Sequence, residues 1–192
     1  VLSGVVGGSG ATVLYSKDFE TGTPPYDNDW GEKVFTGDTA PVTWRGIQTC
    51  TANSGARIFR FGGTGCTTNY DSNEFELAEP QTTTGIYVPA GATNVRLSFF
   101  HRRQFQAGRD GGSLWMSLDG SNYSFVNASA ISGTTYNGVL GNTCPVDAGL
   151  VGLPIFTSTA TSFSQTTVDL DAVCDSITGG STGCAGLTIW PG

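Results

Sequence analysis

The side chains best placed to do chemistry are oxygen donors at the ends of apolar runs. Glu20 closes the alternating run TVLYSKDF and opens onto an irregular segment, TGTPPYDND, that carries Asp27, Asn28 and Asp29. Asp71 and Asn73 precede a second alternating run, EFELA, and Asp110 stands directly before Gly111 and Gly112. Carboxylates, amides and backbone carbonyls on irregular loops are what a hard cation such as calcium requires. No EF-hand loop of the DxDxDG kind occurs. The spacing therefore leaves two readings open: a calcium site, or acids and amides that only form turns and keep the surface wet.

Other chemistries find less support. His101 is the single histidine, so the usual zinc ligand sets cannot be assembled, and a nucleophile would have only this one base to work with. A carboxylate pair of the glycosidase kind needs two acids roughly 5 to 9.5 Å apart. Glu20, Glu32, Glu74, Glu76 and Glu79 are available, but nothing in the sequence sets two of them across a cleft. Trp30, Trp44, Trp115 and Trp190 could line such a cleft or fill a core. Gly62–Gly65 is followed by no lysine and no helical pattern, which excludes a phosphate loop. Asn122-Tyr-Ser and Asn127-Ala-Ser match the glycosylation sequon.

Five cysteines stand at 50, 66, 144, 174 and 184, without metal-site spacing. Cys50 and Cys66 flank one turn-rich segment, and Cys174 and Cys184 flank another, DSITGGSTG. Local disulfides Cys50–Cys66 and Cys174–Cys184 are the expected pairing, each closing a short loop and contributing on the order of 3 kcal/mol. The other reading is reduced, buried thiols. Cys144 is left free or paired outside this chain.

These residues need elements to hold them. The chain has 192 residues, which suits a sizeable core, and a net charge of -7 from 16 acids and 9 bases. That balance gives no basic patch for nucleic acid or for an anionic membrane. Charged residues are only 13% of the chain, and Gly, Thr and Ser carry the polarity. Such a mixture disfavours helices and is common in extracellular β-proteins. No run of about 18 apolar residues is present, so no membrane insertion is expected.

The organising stretch is Val95–Leu118. Val95, Leu97 and Phe99 alternate with Arg96, Ser98 and Phe100, and Leu114, Met116 and Leu118 alternate with Trp115 and Ser117. Period-two alternation reads as a pair of strands with one face in a core, with His101–Gly112 as their link. Further strands are expected at 12–19, 42–47, 56–61, 74–78, 85–88, 123–126, 154–157, 163–170 and 185–190, separated by turn dipeptides, with no amphipathic helix of ten residues. Residues 1–11 read as a flexible lead and 12–192 as one domain. The expected fold is all-β: an antiparallel β-sandwich of jelly-roll, concanavalin-like topology.

Phe19-Glu20-Thr-Gly, Asp29-Trp30-Gly, the segment Asp38–Trp44 and Asn53-Ser-Gly-Ala together resemble the opening of MAM-like domains. Asn73-Glu-Phe-Glu-Leu through Phe99-Phe-His101, then Asp110-Gly-Gly-Ser-Leu-Trp-Met-Ser-Leu-Asp119-Gly, look like the related jelly-roll modules of secreted bacterial proteins. The resemblance covers most of residues 13–140. Such modules accompany metallopeptidases, subtilases and surface adhesins. The resemblance implies a structural cation, taken as calcium, held by Glu20 and Asp110, with Asp38 in the loop where a further ligand belongs. The chain departs from the pattern at Ile189-Trp190-Pro-Gly, where these modules close with a Gly-Trp strand bearing two aspartates, so a truncated domain is expected.

Three functions follow as expectations. The first is a non-catalytic, secreted or cell-surface recognition, adhesion or accessory module that contacts an extracellular protein or glycan, with a peptidase attached in a longer precursor. The second is a carbohydrate-binding module, with Trp115 as the candidate binding surface because it points away from Leu114, Met116 and Leu118. The third is an unusual hydrolase.

Overall fold

Short runs of β-branched and aromatic residues between glycine-rich turns can satisfy their backbone groups only by pairing with one another. The computed structural model shows how they do so; it describes residues 2–6, 10–21, 29–36, 45–61, 66, 77–141 and 148–192. Two compact units are distinguished, Val1–Ser16 with Thr84–Gly192, and Lys17–Thr83. The first strands in chain order are β1 (Leu2–Val6) and β2 (Ala11–Tyr15), followed in the second unit by β3 (Trp30–Thr36), β4 (Arg45–Thr49), β5 (Arg57–Phe61) and β6 (Leu77–Thr82). The larger unit resumes with β7 (Ile86–Tyr87), β8 (Ala92–Gln104), β9 (Trp115–Ser117), β10 (Tyr123–Phe125), β11 (Ile131–Gly133) and β12 (Gly138–Val139). It ends with β13 (Pro154–Ile155), β14 (Thr159–Asp169), helix α1 (Leu170–Thr178) and β15 (Thr188–Pro191).

The pairings described are all antiparallel. In the larger unit one sheet runs β11-β14-β8-β1-β2 and a second runs β10-β9-β15-β7, with β12 and β13 paired separately. The all-β class expected from composition is therefore what the structure shows. The two runs of Val95–Leu118 are not partners, however. β8 pairs with β14 and β1, whereas β9 pairs with β10 and β15, in the other sheet. Alternation reports which side chains turn inward; it does not report which strand lies alongside. Both runs supply one core, where Val95 and Met116 are joined by Val126, Val168, Leu170 and Ile189.

Several elements depart from expectation: β3, β11 and β12 are strands where none was expected, and two others differ in kind. Leu2–Val6, read as part of a flexible lead, is a strand between β8 and β2. Its glycine obscured a pattern that needs only five residues. The segment after β14, read as strand end and loop, contains α1. Asp169 caps the helix, its carboxylate accepting the Ala172 N–H at 3.2 Å, and Gly179 ends it in the left-handed region at φ 68°. Leu170, Val173 and Cys174 on one face are buried. At nine residues it is too short to produce a strong helical period.

α1 is fastened by its own acids. The Asp171 carboxylate accepts the N–H of Val95 at 3.1 Å and of Cys184 at 3.0 Å, and Asp175 accepts the N–H of Gly183 at 2.8 Å. The disulfide Cys174–Cys184 closes the same loop, and a second joins Cys50 to Cys66. Cys144 lies outside the described residues.

Candidate functional site

β8 is paired with β1 within Ala92–Leu97 and with β14 within Arg96–Gln104, and in such a strand side chains have only two directions available. Leu97, Phe99, His101 and Arg103 share the core-facing direction with Val95, which is fully buried. Arg96, Ser98, Phe100, Arg102 and Gln104 point the other way. The register with β14 places Asp169 opposite Arg96, Thr167 opposite Ser98 and Gln165 opposite Phe100, and Val168, opposite Leu97, is buried.

The inward row is tied to the strands and loops beside it. Thr166, itself fully buried, donates its one hydroxyl proton to the carbonyl of Thr134 at 2.6 Å. Nε2 of His101 lies 3.0 Å from the same hydroxyl and must therefore be the donor in that contact. The imidazole is flanked by the rings of Phe156 and Phe99, at 4.8 and 5.5 Å between centroids. Burial, and then the charge of Arg103, lowers the His101 pKa from its ordinary 6.5. Arg103 directs its Nε–H to the carbonyl of Thr157 at 2.8 Å. His101 is thus a neutral packing residue with one proton committed to the sheet.

The aromatic chain continues from Phe156 to Tyr136, Phe125 and Trp115, at 4.7, 5.5 and 5.7 Å. Tyr136 accepts the Leu114 N–H and donates to the Val126 carbonyl, each at 3.0 Å, and burial pushes its phenol up to about 12. Trp115, expected as an open platform, is half-buried, meets Phe125 edge-on and donates its indole N–H to Ser113 at 2.8 Å. Its neighbour Ser117 is fully buried, so both sides of β9 are covered.

Of the three carboxylates expected to hold calcium, Glu20 and Asp110 each accept backbone N–H groups. In the Lys17–Thr83 unit, one oxygen of Glu20 accepts the N–H groups of Ala56 and Arg57, both at 2.8 Å. Gly55, at φ 70°, allows this approach, since a Cβ there would collide with the Glu20 carboxyl group. Phe19 beside it packs on Trp30 and Phe59. Asp29 pairs with Lys17 at 3.3 Å. In the larger unit, Asp110 accepts the Gln106 N–H at 3.2 Å, and Gly111 lies where a Cβ would press on Ile155 and Phe156. Among the described residues no three His, Cys, Asp or Glu side chains come together as a metal site. Asp27, Asn28, Asp38, Asp71 and Asn73 lie outside the described residues.

Two further motifs find structural roles. Asp119 receives the N–H groups of Asn122 and Ser121, the Asn122 amide and the Ser117 hydroxyl, with the Asn122 backbone contact strongest, and these hold its carboxyl well below the usual range. Gly179-Gly180-Ser181-Thr182-Gly183 has the spacing of a nucleophile elbow but follows the end of α1 instead of leading from strand to helix.

The outward row is open. Phe100 is 50% exposed in the middle of β8, and the Arg102 guanidinium lies 5.5 Å from the centre of the Phe163 ring. One row back, Ser98 and Thr167 share a hydrogen bond at 3.0 Å. Beyond them Arg96 and Asp169 border a hollow of about 260 Å³ with Thr167, Ser129 and Ser132, above the backs of Ala130 and Ile131. The sequence did carry a sign of this surface: Phe100 is the one apolar residue on the polar side of the alternation. The part played by Asp169, Ser129 and Ser132 depends on the β8–β14–β11 register, which no local pattern encodes.

Replacing Glu20 by Ala is expected to cost about 1–3 kcal/mol in denaturant unfolding, because two backbone N–H groups lose their acceptor. The loss should be the same with and without a chelator; a chelator that alone reproduces it would show that Glu20 acts through a cation. His101 supplies a pH prediction. The unfolded chain takes up a proton before folded His101 does, so its contribution is complete above about pH 6.5 and declines below it until the folded imidazole also protonates. Melting temperature should fall from about pH 6.5 toward 5 in the wild type and less steeply in His101→Gln. Equal slopes would contradict the assignment.

No family model, curated protein or solved structure matches this chain.

Proposed function

We propose that this chain is a non-catalytic, secreted or cell-surface recognition module, of β-sandwich and jelly-roll type and similar to the MAM-like accessory modules, which engages its partner through the outward face of β8 and β14. One observation carries the reading: Phe100 stands half-exposed on the central strand of a sheet, opposite Gln165 and two residues before Arg102, whose guanidinium lies over the Phe163 ring. An isolated surface phenylalanine is ordinary. This one belongs to a row of aromatic, cationic and amide groups on a strand paired to β14, and rigid elements hold contact groups more closely than loops do.

The rest of the molecule is consistent with that role. Two disulfides fit an oxidising compartment. Among the described residues no helix is long and apolar enough to cross a membrane. His101 has its Nε2 proton committed to Thr166 and aromatic rings beside it, which suits a core residue better than a base. Attachment to a secreted peptidase or adhesin is part of the proposal, through the resemblance alone. A structural calcium ion rests, like that attachment, on the resemblance alone.

Surface plasmon resonance against immobilised extracellular-matrix proteins and insoluble polysaccharides tests the reading. The wild type should bind a member of the panel, and Phe100→Glu should abolish that binding at unchanged melting temperature. Binding that survives Phe100→Glu, or no binding to any member, would overturn it.

A further inference from the structure

The hollow at the foot of the outward face has a chemistry that narrows the ligand class. Arg96 and Asp169 are opposite one another across β8 and β14, yet no ion pair joins them. Asp169 gives one oxygen to the Ala172 N–H as helix cap. Asp169 and Arg96 both line the hollow. Thr167, Ser129 and Ser132 add hydroxyls, each of which can donate and accept. A cationic residue and an anionic residue thus line the same space of about 260 Å³.

A charged ligand would be attracted by one of these groups and repelled by the other. A neutral polyhydroxyl ligand uses both: the guanidinium donates to its oxygens and the carboxylate accepts from its hydroxyl protons, as charge-assisted hydrogen bonds. The net charge of -7 further disfavours an acidic ligand. Phe100 stands four residues along β8 from Arg96 on the same side, roughly 13 Å at strand rise. Its ring offers an apolar surface for the C–H face of a second sugar, beyond one held in the hollow. Gln165, opposite Phe100, and the Ser98–Thr167 pair supply polar groups between the two positions.

We infer that this face binds a neutral oligosaccharide, with one sugar in the Arg96–Asp169 hollow and another stacked on Phe100. The inference rests on the reading of the outward face as a recognition surface, and gives that surface a ligand class. It replaces Trp115, which is packed against Phe125, as the aromatic contact.

The test uses the full chain and soluble oligosaccharides of cellulose, xylan, mannan and chitin, with polygalacturonate as the acidic comparison, measured by titration calorimetry. Arg96→Gln, Asp169→Asn and Phe100→Ala are the variants; asparagine retains the helix cap, so a loss in Asp169→Asn at unchanged melting temperature reports the hollow. At least one neutral oligosaccharide should bind, and each variant should weaken it about tenfold or more. Neutral binding that all three variants leave intact would overturn the inference, as would binding of polygalacturonate alone. If no oligosaccharide binds but Phe100→Glu still abolishes capture by a matrix protein, the recognition face stands and the glycan assignment fails. If neither binding occurs, both fail.

Discussion

β8 is paired with β1 over its first half and with β14 from Arg96 to Gln104, and that constraint governs most of the larger unit. A strand so held has two directions for its side chains and no third. Leu97, Phe99 and His101 enter the core, so Arg96, Ser98 and Phe100 must leave it. A slip of one residue would exchange the two sets and bury two arginines. The register is fixed from both sides of the sheet: His101 meets Thr166 on the inner face, and Ser98 meets Thr167 on the outer. The same pairing that closes the core places Asp169 opposite Arg96 and so builds the hollow.

α1 extends the effect of this register. The helix begins immediately where β14 ends, with Asp169 serving as last strand residue, helix cap and border of the hollow. Two residues on, Asp171 returns to the N–H of Val95 in β8, and the Cys174–Cys184 disulfide holds the following loop. A change in the β14 register would move all of these together. In the Lys17–Thr83 unit the comparable tie is Glu20, whose carboxylate joins the residues after β2 to the turn before β5.

Much of the fold was legible because strand alternation and turn dipeptides are local signals. The cysteine spacing pointed to both disulfides, and the neighbours of Val95, Leu97 and Phe99 identified the inward side of β8. Pairing was not legible: β8 and β9 read as partners because they are adjacent in sequence, yet they lie in different sheets. β1 was masked by its glycine, and α1 by its length and by a cysteine and glycines that suggest a loop. Glu20 was recognised as a residue with a role, but no local pattern shows that its carboxylate reaches the backbone N–H groups of Ala56 and Arg57. Trp115 was singled out by its place in the alternation, whereas Ser117 on the same side is fully buried. Phe100 was visible as an apolar residue in a polar row; Asp169, Ser129 and Ser132 join it only through contacts between distant parts of the chain.

The central claim is that the outward face of β8 and β14 is where this protein meets its ligand. Amide chemical-shift mapping of the isotope-labelled full chain, titrated with the neutral oligosaccharide that binds most tightly, tests it most directly. The account predicts perturbations confined to residues 96–102, 129–132 and 163–169, while the amides of Trp115, Phe125 and the Glu20 turn stay unchanged. Perturbations centred on Trp115, or spread evenly over both faces of β8, would contradict it.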